Sequence, residues 1–301
     1  MNRLKPRQTP KTLVENRISF AGPNAELSLY DTYLPAQHVD LAAGELLYCG
    51  MISGRKILHG RNDYHAEFFP QESFVMAPGE QIQIDFPDAS LKSPTSCLTI
   101  EISQSRIDQI CDQLNHRSPL QTDFDTWQYR HDNVLHSPHT QATQALLERL
   151  VANFSEDGAD RDLLIDWGIS ELVVRMLRQQ TRDFLLQTCQ KKPDLNGLSA
   201  VLQHIRSHLS EPLAMENLCR IACMSRSRFF SEFKKHLGCT PAEFQHQLRM
   251  QQARERIGKG EVITRVCFDL GYRNPSHFSR RFHQFYGETP TQCQRRNQST
   301  A

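Results

Sequence analysis

Hydrophobic and polar positions along the chain follow two periods, and the change falls near residue 103. From about 20 to 102 the apolar residues come in short, partly alternating runs: "AELSLYDTYL", "GELLYCGMI", "RKILHG", "ESFVMAPGEQIQIDF" and "SCLTIEIS". Gly, Pro and Asn/Asp signals separate them, so these runs predict strands. Many short strands at this spacing predict a sandwich or barrel. After Ser103 the period becomes helical: Ile107, Ile110, Cys111 and Leu114 mark one face, and "NHRSP" ends it. An irregular stretch, "QTDFDTWQYRHDNVLHSPH", follows.

Two longer amphipathic helices are predicted next. The first, over 140–154, carries Leu146, Leu147, Leu150, Val151 and Phe154. The second, over 161–186, carries Leu164, Ile165, Ile169, Leu172, Val173, Met176 and Leu177. "KKPDLNG" is polar and holds Pro and Gly, which makes it the best domain boundary in the chain. Everything beyond it reads as helix and turn.

That last part says one thing twice. "FFSEFKKHLGCTP" (229–241) and "HFSRRFHQFYGETP" (277–290) superpose Phe229 on Phe278, Phe233 on Phe282, Gly238 on Gly287, Thr240 on Thr289 and Pro241 on Pro290. Each copy has a short helix, marked by Leu213, Leu218 and Ile221 or by Ile263, Val266 and Leu270. A turn and a second helix follow. Ser225 and Asn274 are expected N-caps of the second helices, with Pro275 at a first helical position. The Phe residues at i and i+4 share the buried face.

Cys219 matches Cys267 at an offset of 48 while Phe229 matches Phe278 at 49, so one residue has entered the second turn. Between the copies, Thr240, Pro241 and Glu243 predict a capped helix start and "GKG" its end. About 18 residues of helix span roughly 27 Å, which would set two second helices near one duplex turn apart. The layout is that of a helix-turn-helix repeated once, and two copies are too few for a solenoid.

Charge sharpens this reading. The formal net charge is +1, yet Asp194 to Ala301 carries +7 and the remainder −6. A basic end on an acidic body suggests an electrostatic footprint for nucleic acid. Taken alone it equally fits a solvated surface, and it is the repeat that decides for double-stranded DNA. Arg226, Arg228, Lys234, Lys235, Arg273 and Arg281 are the expected phosphate contacts.

The chain is long enough for about two domains, and no apolar run approaches the roughly 18–20 residues of a membrane span. No hydrophobic stretch follows the charges of "MNRLKPRQTPKTL", so no secretory leader is expected and the cytoplasm is the expected location. Nine cysteines at no repeating short spacing argue against a disulfide framework. Cys219 and Cys223 are expected to be small buried helix residues rather than metal ligands.

The repeat resembles the AraC/XylS family of bacterial transcription regulators over 198–296, most specifically in "GYRNPSHFSRRFHQFYGETP". The resemblance implies a seven-helix domain with two helix-turn-helix units joined by a helix over 241–257. Carried over by position, it implies base reading by Ser227, Phe230 and Ser231 in the first unit and by Ser276, His277 and Arg280 in the second. Cys223 stands where the family often has Gly, which predicts a looser first turn. "TQCQRR" lacks the family's usual Tyr, which leaves the terminal helix open. Upstream, "ESFVMAPGEQIQI" looks like the strand–turn–strand step of a cupin-like barrel, and the family plan adds a dimerising helix pair.

Chemistry in the N-terminal part is sparse. His59, His65 and Glu67 in "HGRNDYHAE" do not make the His-rich set of a metal cupin, and His204 and His208 are expected to face solvent, so no metal and no cofactor are expected. No nucleophile triad or phosphate loop is present, so an enzyme is not expected. Cys49, Cys97 and Cys111 are candidate reactive thiols, but such a thiol wants a nearby Lys or Arg or a helix N-terminus. "LYCGM" and "TSCLTIE" offer apolar strands, so these cysteines read as core. Tyr48, Met51, His59 and Met76 are candidate effector-lining residues.

The expectation is a multidomain α+β protein. A cupin-like effector-sensing domain occupies 1–136, a helical dimerisation segment 137–190, a linker 191–197 and an AraC-type DNA-binding domain 198–297. Its expected function is that of an effector-controlled activator that binds DNA as a homodimer and recruits RNA polymerase. The alternative is a cupin enzyme or thiol-based redox sensor fused to a DNA-binding module.

Overall fold

A computed structural model describes residues 10–60, 64–119, 126–129, 135–191 and 197–298. The chain divides into two compact units, Met1–Leu177 and Arg178–Ala301.

The first unit is built on antiparallel strands β1 (Asn16–Gly22), β2 (Ala25–Thr32), β3 (Ala36–Ala42), β4 (Leu46–Ser53), β5 (Lys56–His59), β6 (His65–Phe68), β7 (Glu72–Met76), β8 (Gln81–Phe86), β9 (Thr95–Ile102) and β10 (Leu135–Pro138). They form a six-stranded sheet, β1-β2-β9-β4-β7-β10, and a four-stranded sheet, β3-β8-β5-β6. β4, "LLYCGMIS", is buried along its first six residues, which is why it reads as a continuous apolar run rather than an alternating one.

Its two faces serve two cores. Leu47, Cys49 and Met51 join Phe74, Met76 and Cys97 against Leu58, Ile82, Ile84 and Phe86 of the small sheet. Leu46 and Tyr48 join Leu98, Ile100 and Ile102 on the other side. There they meet helices α1 (Gln104–Arg117), α2 (Gln141–Ser155) and α3 (Arg161–Lys191) through Ile107, Ile110, Leu146, Leu150, Ile169 and Leu172.

All five predicted strand runs are present. Three strands escaped the pattern among 16–68 and a fourth lies further on. β3 is mostly exposed and bulged between Ala36 and Val39, where His38 has φ +55°, so no alternation survives in its sequence. β10 lies in the stretch expected to be irregular. It is a short strand ending in Pro138, and it pairs with β7 at the sheet's edge, Leu135 opposite Val75. Leu164, assigned to the apolar face of its helix, is 42% exposed beside Leu163 and Trp167, which lie within one turn of it.

The second unit is helical: α4 (Gly197–Ser207), α5 (Met215–Ile221), α6 (Arg226–Leu237), α7 (Pro241–Gly258), α8 (Ile263–Asp269), α9 (Pro275–Tyr286) and α10 (Pro290–Gln298). These are the seven helices expected, and the doubtful terminal one is present, seated by a fully buried Cys293. Of the expected linker, Lys191 closes α3 and Gly197 opens α4, while 192–196 lie outside the described residues.

Candidate nucleic-acid interface

The repeat in sequence is a repeat in backbone detail. Gly238 and Gly287 end α6 and α9 in the same left-handed conformation, φ +71° in both, and donate to Lys234 O and His283 O. Thr240 Oγ1 accepts from the Glu243 amide at the start of α7, and Thr289 Oγ1 accepts from Gln292 at the start of α10. Phe229 and Phe233 are fully buried and meet at 5.5 Å, with Phe244 of α7 against Phe233 at 5.8 Å. Phe278 and Phe282 are equally buried, with Tyr286 extending the row at 4.9 Å.

The two turns correspond as closely. Cys223 and Met224 donate to Arg220 O and Cys219 O; Gly271 and Tyr272 donate to Phe268 O and Cys267 O. All these pairs keep the offset of 48, whereas Ser225 and Asn274, the two N-caps, are 49 apart. The added residue is therefore Arg273, exposed at the end of the second turn.

Cys223 does not loosen the first turn. It adopts φ +53°, the conformation that Gly271 holds at +79° in the second. A side chain in this region carries a steric cost of about 1–2 kcal/mol. Cys223→Gly should therefore raise the stability of the second unit by about 1 kcal/mol, less what glycine adds to unfolded-chain entropy. Urea unfolding followed by helix circular dichroism will show this; a loss of stability would mean the thiol itself matters. Burial was the wrong expectation for this pair, since Cys219 is half-buried and Cys223 exposed.

With the Phe pairs turned inward, the opposite faces are open. Ser227 and Ser231 of α6, and Ser276, His277 and Arg280 of α9, are all exposed. Phe230 is half-buried, its ring 5.7 Å from that of Phe229. Arg226, Arg228, Lys234, Arg273 and Arg281 are exposed, while Lys235 is half-buried with its carbonyl accepting from Arg178 at 2.6 Å. The start of α9 is fixed by Asn274, whose Oδ1 accepts from the Ser276 and His277 amides at 2.8 and 3.3 Å. Ser225, expected to do the same for α6, makes no such bond.

Behind α9 lies a group whose members no spacing in the chain connects. His246 Nδ1 is 2.9 Å from the Tyr272 hydroxyl, Arg249 lies over the Tyr272 ring, and that ring stands 6.2 Å from His277. Burial, then the charges of Arg281 and Arg249, push His246 down to about 4. The neutral form is thus the folded one. Above pH 6.5 both folded and unfolded states carry it neutral; as pH falls towards about 4 only the unfolded state gains the proton, so stability falls. A melt series from pH 7 to 4 should show this slope, and His246→Gln should flatten part of it; an unchanged slope would exonerate His246.

The first unit holds the other candidate residues. Met51 and Met76 share the core between the sheets, whereas Tyr48 lies on the opposite face of β4 with its hydroxyl 3.3 Å from His139 Nε2. His59 sits on the small sheet, Nε2 2.9 Å from Asp85 and Nδ1 3.3 Å from that of His65. Glu67 is held by Arg55. These four lining candidates are therefore not brought to one place. His204 and His208, expected to face solvent, are half-buried with their rings tilted at 4.2 Å, and no cluster of three metal-capable groups exists among the described residues.

A family model described as the AraC-type transcriptional regulator N-terminus matches residues 23–184, and one described as a helix-turn-helix domain matches 218–296. The chain belongs to the AraC/XylS family of transcriptional regulators.

Among curated relatives of this AraC-type chain is the probable transcriptional regulator LumQ of Photobacterium leiognathi. It is 25% identical over 146 residues, which are 48% of this chain and 57% of that protein. An HTH-type transcriptional regulator of Haemophilus influenzae is 25% identical over 171 residues, 55% of each chain. The transcriptional activator RhaS of Pectobacterium carotovorum is 25% identical over 122 residues, 40% of this chain and 44% of that one. The match thus spans about half the length of these relatives. Among solved structures, ToxT of Vibrio cholerae covers 91% of this chain and 100% of its own at 14% identity and a TM-score of 0.38. No helix among the described residues is long and apolar enough to cross a membrane.

Proposed function

We propose that this AraC-type regulator binds specific double-stranded DNA sites and activates transcription under the control of a small-molecule effector. One observation carries the reading. Two helices pinned by the same buried Phe pairs and closed by the same left-handed glycines present exposed polar residues at matching N-terminal positions, with arginines around them. That is what two helix-turn-helix units need in order to enter two successive major grooves. Ser227, Phe230, Ser231, Ser276, His277 and Arg280 read bases; Arg226, Arg228, Lys234, Lys235, Arg273 and Arg281 hold phosphates. Activation is favoured by relatives named as activators, RhaS and the XylDLEGF operon transcriptional activators of Pseudomonas putida.

The two sheets serve as a cupin-like sensing domain, and the effector acts by favouring one arrangement of the DNA-binding unit over another. The protein works in the cytoplasm, in contact with RNA polymerase and as a homodimer. Leu163, Leu164 and Trp167, 49%, 42% and 60% exposed on one side of α3, supply an apolar face suited to a second copy. Trp167→Asp should then convert dimer to monomer in analytical ultracentrifugation; an unaltered dimer would remove α3 from the interface.

The function itself is tested by capturing sheared genomic DNA on the purified protein and sequencing it. A few sharp sites sharing a motif are expected. Diffuse capture with and without cell extract metabolites would overturn sequence-specific regulation.

A further inference from the structure

The core between the two sheets contains a charge. Lys56 of β5 is 2% exposed, and its ammonium has to find partners inside an otherwise apolar cluster. A buried ammonium is costly unless paired and hydrogen-bonded. The nearest carboxylate oxygen, Glu15 Oε1, is 3.9 Å away, beyond hydrogen-bond reach. Lys56 Nζ instead donates to Cys97 Sγ at 2.9 Å and lies 4.9 Å from the centre of the Phe86 ring.

Cys97 has a second neighbour. In the β4–β9 ladder Cys49 stands opposite Thr99 and Met51 opposite Cys97, so the two cysteines are diagonal neighbours on the same face. Both side chains belong to the same buried cluster between the sheets, so the two sulfurs face each other across the ladder. The Cys49 thiol and the Lys56 charge stabilise a thiolate on Cys97, whose pKa is lowered, while burial pushes Cys49 well up. By contrast Cys111, beside Asp108 and Asp112, is pushed up by burial to about 11.

From this geometry we infer that Cys97, Cys49 and Lys56 form an oxidant-reactive dithiol site whose substrate is a small peroxide. The Cys97 thiolate attacks one peroxide oxygen; the S–O bond forms, the O–O bond breaks, and the hydroxide that leaves takes a proton from the Lys56 ammonium. The Cys49 sulfur then attacks Cys97 as its thiol proton passes to the departing hydroxide. The S–S bond forms, the S–O bond breaks and water leaves. Two sulfurs have lost one electron each, and hydrogen peroxide has become two waters. The site is closed to large reagents, which limits the oxidant to something near the size of water.

The consequence for the sheet follows from spacing. Diagonal neighbours on paired strands stand about 7–8 Å apart at Cα, while a disulfide favours about 4.4–6.8 Å. Closing the bond therefore draws β4 and β9 together at the centre of the six-stranded sheet, the layer on which α1, α2 and α3 rest. This site is independent of the reading as a DNA regulator, because its readout is on the sulfurs.

The test uses the reduced, full-length chain, treated with equimolar to tenfold hydrogen peroxide, alkylated, digested and analysed by mass spectrometry. A cross-linked pair of peptides holding Cys49 and Cys97, two hydrogens lighter than the reduced pair, is expected ahead of modification at exposed Cys223. In Cys49→Ser, Cys97 should instead be trapped as a sulfenic acid by dimedone. In a folded Lys56→Met variant, the rate of Cys97 loss should drop at least about tenfold; the wild-type measurement stands without that variant. Cys97 still fully alkylatable once Cys223 is oxidised would overturn the site. So would a Lys56→Met variant that melts cooperatively and reacts at the wild-type rate. A link through oxygen between Lys56 and Cys97 would overturn the part given to Cys49.

Discussion

Arg280→Ala should weaken binding to the cognate site by about tenfold to a hundredfold while leaving the melting curve unchanged. Arg280 is exposed in the second turn of α9, after the segment fixed by Asn274. Its truncation leaves no cavity and no orphaned core group, so a stability effect within about 0.5 kcal/mol is expected. A guanidinium paired to a guanine edge is worth about 1–3 kcal/mol of discrimination. Fluorescence anisotropy against the captured motif and against a scrambled duplex separates the two roles open to it. Loss confined to the motif marks a base contact. A uniform loss with a shallower salt slope marks a phosphate contact instead. Unaltered affinity on both would remove Arg280 from the interface.

Phe282→Ala should be the most damaging single change to the DNA-binding unit, at about 3–5 kcal/mol. Phe282 is 0% exposed and lies between Phe278 at 5.9 Å and Tyr286 at 4.9 Å. Met250, Ala253, Ile257 and Val266 fill the same cluster from α7 and α8. Stability of a domain this size is about 5–15 kcal/mol, so the variant gives up a large share of it. Because the chain has two compact units, unfolding should be followed by a probe confined to the second. A loss under about 1 kcal/mol would mean that α9 can be repacked, and would undercut the idea that the Phe pairs hold the exposed face in register.

The C-terminal unit was legible in the sequence because its information is local and stated twice. Phe at i and i+4, Gly at the helix end and Thr-Pro after it each fix one element within a few residues, and all are found where the spacing put them. The N-terminal unit was legible only as a list of strands. Its pairing joins residues far apart, and β4 shows why the inward and outward positions could not be separated: both faces are buried, so the period of two vanishes. Tyr48 and Met51 could not be sorted to opposite sides of the sheet for that reason. The same blindness hid Lys56. Cys97 sits in an apolar strand, and the lysine that changes its chemistry is 41 residues away on another sheet. Cys223 shows the opposite limit. A residue type argued for a looser turn, and the surrounding hydrogen bonds imposed the tight one regardless.

The length of α7 has a meaning of its own. Its 18 residues, Pro241–Gly258, amount to five complete helical turns, so the chain leaves the helix at nearly the azimuth at which it entered. The second copy is thereby delivered in phase with the first. Adding one residue to α7 would rotate everything after it by about 100° and shift it by about 1.5 Å, whereas adding 18 would restore the phase at a longer reach. α7 thus sets an angle as well as a distance between the two copies, and whole-turn lengths are the ones that keep their exposed faces aligned.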